Sequence, residues 1–308
     1  SKEDMEYLQK SIVLSAFFPG SINSLDKFLK AIKLVKKYNL SLIEFYYEGS
    51  RKDLIKEALE KGKLKTVYLG AIASKREGLN LSSLNEVLRE RTVEKMKRCI
   101  DDSYFYGSTS LLINSGKRPD IKEKEPGAYN CLRKSVIELL EYAKEVKKDY
   151  ILDISIEPGD TNIEAYELIG NTSLAIKLVR DIKKEHGNFN LILDISHLRQ
   201  LNEDPMSSIK NAFNYCNHIH LANCIIKDKK SNLYGDKHPE FGVENGEIDS
   251  KEVINIFKKI RKLYEGFQLI ISLEIICREE DEANHSKKLV QKFNWFFNDC
   301  NNSHNKTD

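Results

Sequence analysis

No apolar run in this sequence approaches the ~20 residues that a membrane-spanning helix needs. The opening, Ser1 to Lys10, is polar and lacks the apolar stretch of a secretion signal. A soluble, unexported, cytoplasmic protein without a membrane partner is therefore expected. The chain also has little excess charge, since 49 Lys and Arg stand against 47 Asp and Glu for a formal net charge of +2. A basic domain is the usual footprint of nucleic-acid binding, so no nucleic-acid partner is expected beyond what a local basic groove would allow. Six cysteines (Cys99, Cys131, Cys216, Cys224, Cys277 and Cys300) form no CxxC and no short regular spacing. Neither a disulfide framework nor a zinc knuckle is indicated, and reduced thiols are expected. No Pro/Gly/Ser linker or low-complexity segment breaks the chain.

What the chain does have is a regular alternation of short β-rich apolar runs and longer amphipathic stretches. The runs Ile12–Phe17, Leu42–Tyr47, Leu64–Ile72, Ser110–Asn114, Tyr150–Glu157, Leu191–Ile195, His218–Asn223 and Leu269–Ile275 read as strands. Helical patterns follow at Leu25–Tyr38, Arg51–Glu60, Leu84–Tyr104, Ala128–Lys147, Thr172–His186, Ser207–Tyr215, Lys251–Tyr264 and Glu282–Phe297. Ser24, Asn171 or Thr172, Asp204 with Pro205, and Asp249 or Ser250 supply helix-start signals. Strands alternating with helices demand parallel pairing with right-handed crossovers, and eight such units in 308 residues fit an α/β fold, the (β/α)8 TIM barrel, as a single domain over residues 1–300. The polar stretch 301–308 reads as a disordered tail. An open doubly wound sheet is the structural alternative, but neither GxGxxG nor GxxxxGK(S/T) follows the first strand.

In such a barrel reactive groups sit at the carboxyl ends of strands. The fifth expected strand ends in Ser155-Ile156-Glu157-Pro158-Gly159-Asp160, and the sixth in Leu193-Asp194-Ile195-Ser196-His197. The seventh contains His218-Ile219-His220-Leu221-Ala222-Asn223, and the eighth ends in Ser272-Leu273-Glu274-Ile275. A single glutamate at a strand end is ordinarily a capping or salt-bridging residue, and a single strand histidine a satisfied core residue. Here Glu157, Asp194, His220 and Glu274 come from four successive strands and can converge on one point, where a shared cation removes the cost of burying their charges. Three carboxylates and one imidazole suit one divalent ion, Mn²⁺, Mg²⁺ or Co²⁺, with Zn²⁺ also accommodated.

Those segments, with Gly235-Asp236-x-His238-Pro239, Phe241-Gly242 and Gly246-Glu247-Ile248-Asp249, resemble the xylose isomerase-like barrels. That family includes sugar and sugar phosphate isomerases and epimerases together with apurinic endonucleases. The resemblance spans nearly the whole chain and is sharpest from Glu157 onward. It implies that Glu157, Asp194, His220 and Glu274 are the ligands of a single metal, and that Glu157 and Glu274 exchange protons with a carbohydrate substrate. It further implies that His197 lies beside the metal and contacts substrate, and that a homo-oligomer forms. A metal chelating the carbonyl and adjacent hydroxyl of a ketose acidifies the neighbouring C–H and stabilises the enediolate. The expected function is thus a metal-dependent sugar isomerase or epimerase.

The alternatives are an apurinic endonuclease-like phosphodiesterase and a non-catalytic sugar-binding member. Asp236 and His238 match positions that bind additional metals in the endonuclease branch. All seven histidines nevertheless lie from His186 onward, so the third and fourth strands contribute none. Glu44, Tyr68, Asn114 and Ser115 are candidates for holding substrate in their place, Lys117 and Arg118 for holding a phosphate. Phe17, Phe18, Tyr46 and Tyr47 are candidates for an apolar wall.

Overall fold

Each of the eight strands follows its predecessor around one sheet that closes on itself in the order of the sequence. The computed structural model describes residues 7–302. The strands are β1 (Leu8–Val13), β2 (Leu42–Phe45), β3 (Lys65–Leu69), β4 (Ser110–Ile113), β5 (Asp153–Ile156), β6 (Phe189–Asp194), β7 (Cys216–Leu221) and β8 (Leu269–Leu273). The helices are α1 (Leu14–Phe17), α2 (Leu25–Lys37), α3 (Lys52–Lys61), α4 (Gly70–Arg76), α5 (Glu86–Tyr106), α6 (Glu125–Glu145), α7 (Thr172–Lys183), α8 (Ile195–Gln200), α9 (Pro205–Ala212), α10 (Ser250–Leu263) and α11 (Glu282–Asn302). The fold is a (β/α)8 TIM barrel, as the alternation requires. Among the described residues no helix is long and apolar enough to cross a membrane.

Backbone contacts gather into two units, one of residues 65–219 and one of the residues before and after that span. In the second, β1 pairs in parallel with β2 (Ser11 with Leu42, Val13 with Glu44) and with β8 (Leu8 with Leu269, Ile12 with Leu273). The five-residue ladder to β8 sets where β1 lies, four residues earlier than the apolar run Ile12–Phe17 suggests. The rest of that run, Leu14–Phe17, is the helical turn α1, closed by Phe18 N–H donating to the Leu14 carbonyl at 2.8 Å. Pro19 follows and opens a 3₁₀ turn.

In the unit of residues 65–219, β3, β4, β5 and β6 form a continuous parallel ladder (Val67 with Ser110, Ser110 with Asp153, Ile154 with Phe189). The apolar runs of β3 and β6 also turn helical, into α4 and α8, sooner than period-2 patterning indicates. The caps read from the sequence are present: Ser24 accepts from Lys27 N–H, Asn171 from Ser173, Asp204 from Ser207 and Asp249 from Glu252. Helix α5 ends at Gly107, whose φ of +70° is the left-handed conformation that glycine adopts without strain. Helix α11 continues to Asn302, past the expected boundary at 300, and residues 303–308 of the expected tail lie outside the described residues.

The long loop from β5 to α7 is organised by two buried carboxylates. Asp160, 1% exposed, accepts hydrogen bonds from the backbone N–H groups of Ile163, Glu164, Ala165 and Tyr166 at 2.7–3.3 Å. Glu167 reaches back to the segment after β4, where Asn114 Nδ2 donates at 3.0 Å, Ser115 Oγ at 2.8 Å and Gly116 N–H at 2.9 Å. Burial pushes the Glu167 carboxyl above its ordinary value, against the opposing pull of the Lys75 ammonium and these donors. Between its unfolded and folded pKa the native state therefore binds more protons than the unfolded one, and stability falls as pH rises through that window. Glu167→Gln is expected to flatten this slope in urea-unfolding free energies measured from pH 4 upward. An unchanged slope would show that Glu167 does not carry it.

Candidate functional site

In the unit of residues 65–219 polar side chains gather where β5 and β6 end. Glu157 directly follows β5, and its N–H continues the ladder by donating to Ile113 O at 3.0 Å. Asp194 closes β6 and is at the same time the N-cap of α8. Its Oδ1 accepts from Ser196 N–H at 2.8 Å, Ser196 Oγ at 2.6 Å and His197 N–H at 3.4 Å. One oxygen therefore belongs to the helix start, and Oδ2 lies 3.9 Å from His197 Nε2. His197 Nδ1 is 2.9 Å from the Pro158 carbonyl. A carbonyl only accepts, so Nδ1 carries a proton and the ring presents Nε2. This bond ties the segment after β6 to the segment after β5.

In the other unit acids and imidazoles from four elements meet. Glu44 on β2 is 0% exposed and its Oε1 lies 2.8 Å from His220 Nε2 on β7. His220 Nδ1 is 3.4 Å from Oε2 of Glu274, which follows β8 and donates its N–H to Leu221 O at 3.0 Å. Glu274 Oε1 lies 3.1 Å from His238 Nε2, and the same nitrogen lies 2.9 Å from Asp236 Oδ1. The result is an alternating row of acid and imidazole: Glu44, His220, Glu274, His238, Asp236. His238 has φ +48°, a conformation costly for a residue with a side chain. Ile276 N–H holds it by donating to its carbonyl at 3.0 Å. The loop that carries it is closed by buried Asn223, whose Oδ1 accepts from Cys224 and Ile248 N–H and whose Nδ2 donates to Glu240 O.

A neutral imidazole has one donor and one acceptor nitrogen. With Nε2–H directed at Glu44, the lone pair of His220 Nδ1 faces an oxygen of Glu274. That juxtaposition calls for positive charge between them, either a second proton on the ring or a metal cation. Buried His, Asp and Glu side chains able to hold a metal occur in both units.

Other residues singled out in the sequence have local roles. Asn114 and Ser115 hold Glu167. Arg118 donates to Thr161 O at 2.9 Å and lies over the Tyr166 ring, as does Lys117. Phe17, Phe18, Tyr46 and Tyr47 are buried, with the Tyr47 hydroxyl donating to Ser50 O at 2.6 Å, and the Tyr68 hydroxyl reaches Asp102 at 3.4 Å. Glu44 turns out to face a histidine, an assignment that strand patterning could not supply across 176 positions.

The family model described as xylose isomerase-like TIM barrel matches residues 31–296. The chain belongs to that family. An uncharacterised protein of Methanocaldococcus jannaschii is 23% identical over 301 residues, covering 94% of this chain and 89% of that protein. Among solved structures, a D-tagatose 3-epimerase-like protein superposes with a TM-score of 0.69 at 18% identity, covering 94% of this chain and 98% of its own. An L-ribulose 3-epimerase gives 0.69 at 14% identity, covering 96% of each chain. A D-psicose 3-epimerase and a family 2 AP endonuclease share the same fold.

The divided role of Asp194 has a measurable consequence. Asparagine caps a helix about as well as aspartate, whereas alanine lacks the acceptor, at a typical cost of ~1 kcal/mol and up to about 2. Asp194→Asn is expected to melt close to the parent in the absence of metal and Asp194→Ala several degrees lower. Equal melting temperatures for the two variants would show that the cap contributes nothing.

Proposed function

We propose that the chain is a divalent-metal-dependent isomerase or epimerase acting on a sugar or sugar phosphate, with Glu157, Asp194, His220 and Glu274 as the ligands of one ion. The observation that carries this reading is the approach of His220 Nδ1 to Glu274 Oε2 at 3.4 Å while Nε2 faces Glu44. Two electron-pair donors held that close, on a histidine 1% exposed, are stabilised by a cation. Three carboxylates and an imidazole form a hard donor set suited to Mn²⁺, Mg²⁺ or Co²⁺, and Zn²⁺ also accepts it. Family membership and the sugar epimerases of the same fold support a carbohydrate substrate.

When bound, such an ion polarises the substrate carbonyl and stabilises the enediolate left when the neighbouring C–H proton departs. The chain's own groups handle that proton. One of Glu157 and Glu274 removes it and the other, as the acid, returns one. Return to the same carbon from the opposite face inverts it, whereas return to the former carbonyl carbon converts ketose to aldose. His238 N–H, by holding Glu274 Oε1, fixes the plane of that carboxylate. His197, its ring set by Pro158 O, directs Nε2 to a substrate oxygen.

The phosphodiesterase alternative leans on Asp236 and His238 as ligands of further metals. Here His238 Nε2 is engaged with Asp236 and Glu274, and β3 and β4 bring no histidine.

Glu274→Gln keeps the side-chain volume and removes the basic oxygen. Turnover of ketopentose or ketohexose substrates is expected to fall by about 10²–10⁴-fold with cooperative melting retained. A loss under tenfold would remove Glu274 as an acid–base group. In D₂O the product is expected to acquire solvent deuterium at the carbon beside the carbonyl. Complete retention of the substrate hydrogen, with no solvent label in product or recovered substrate, would favour a hydride shift and overturn this account of the two glutamates.

A further inference from the structure

We infer that Glu44 is a positioning residue that holds the His220 ring so that Nδ1, and not Nε2, is the atom offered to a divalent cation. The inference rests on the metal-dependent reading of His220. Strand β2 is Leu42-Ile43-Glu44-Phe45, and all four side chains are buried. Glu44 is 0% exposed, and an ionised carboxylate there costs several kcal/mol unless a donor meets it. An aliphatic residue would serve the strand without that cost, so the carboxylate is explained by what it faces.

Its Oε1 lies 2.8 Å from His220 Nε2, and the parallel pairing of Glu44 with Val13 on β1 fixes the backbone from which it reaches. A carboxylate accepts, so Nε2 carries the proton and Nδ1 keeps the lone pair. Rotating the ring by half a turn would put a carbon where Nε2 now meets Glu44, so the hydrogen bond selects the ring orientation as well as the tautomer. The atom left facing Glu274 Oε2 at 3.4 Å is Nδ1. A carboxylate behind a ligating imidazole both orients it and strengthens it as a donor to metal, and loss of such a partner typically weakens metal affinity 10–100-fold.

The test uses Zn²⁺ as the probe. Its affinity is measured by chelator competition for the parent chain, Glu44→Gln and Glu44→Leu, alongside melting of the metal-free proteins. Glutamine keeps an acceptor for Nε2–H but no charge, and leucine keeps neither. The expected affinities fall about tenfold for Glu44→Gln and about 100-fold for Glu44→Leu, an order that cooperative melting of the metal-free proteins need not follow. In the Zn²⁺-loaded parent chain labelled with ¹⁵N-histidine, the His220 ring is expected to carry its proton on Nε2 and zinc on Nδ1. This spectrum decides the matter even where a variant fails to fold. Affinities of both variants within threefold of the parent, or a His220 proton on Nδ1, overturn the role of Glu44. A parent chain that binds no Zn²⁺ overturns the metal-dependent reading itself, and the inference with it.

Discussion

A carboxylate buried at the end of a strand must be met by donors, and the loops of this barrel are arranged to supply them. Asp160 gathers four backbone N–H groups. Glu167 gathers one N–H, one hydroxyl and one amide from the segment after β4. Asp194 is met by the first turn of α8, and Glu44 by an imidazole. Unmet, each of these anions would cost more than a typical core side chain contributes. At these four positions the scaffold holds a buried acid because a specific segment answers it.

The strand–helix alternation was legible because its physical basis is local: apolar runs, capping residues and turn formers write it directly into the chain. Ser24, Asn171, Asp204 and Asp249 cap where the sequence places them. The starts and stops of β1, β3 and β6 were less legible. The apolar runs of β1 and β3 pass without a polar break into α1 and α4, whose first residues are buried like the strand ends before them, and β6 is followed directly by the buried start of α8. Burial from both sides erases the period that would separate strand from helix. What ends these strands is the neighbouring ladder, a long-range property that no single run displays.

Among the site residues the same division holds. Asp194 and Glu274 announce themselves as charges at the ends of apolar runs, where something must explain them. Glu44 carries the same signal, yet its partner lies on a strand far along the chain, and only geometry shows that it faces an imidazole rather than a ligand. Asn114 and Ser115 are candidates for holding substrate because the third and fourth strands bring no histidine. Their donors satisfy Glu167, an acid in the loop from β5 to α7 and so outside every strand whose pattern could mark it.

If Asp194 is a metal ligand, as proposed, it joins two tasks in one side chain. Because Oδ1 is bound by the first turn of α8, the torsions that orient Oδ2 are settled once the helix forms. The rotamer freedom of that carboxylate is surrendered during folding, so a ligand arriving at Oδ2 meets a donor that is already still and loses no affinity in ordering it. The same coupling runs in reverse by linkage: whatever binds Oδ2 stabilises the helix start, and fraying of α8 loosens whatever is bound. The first turn of a six-residue helix would thereby be a part of the binding equilibrium.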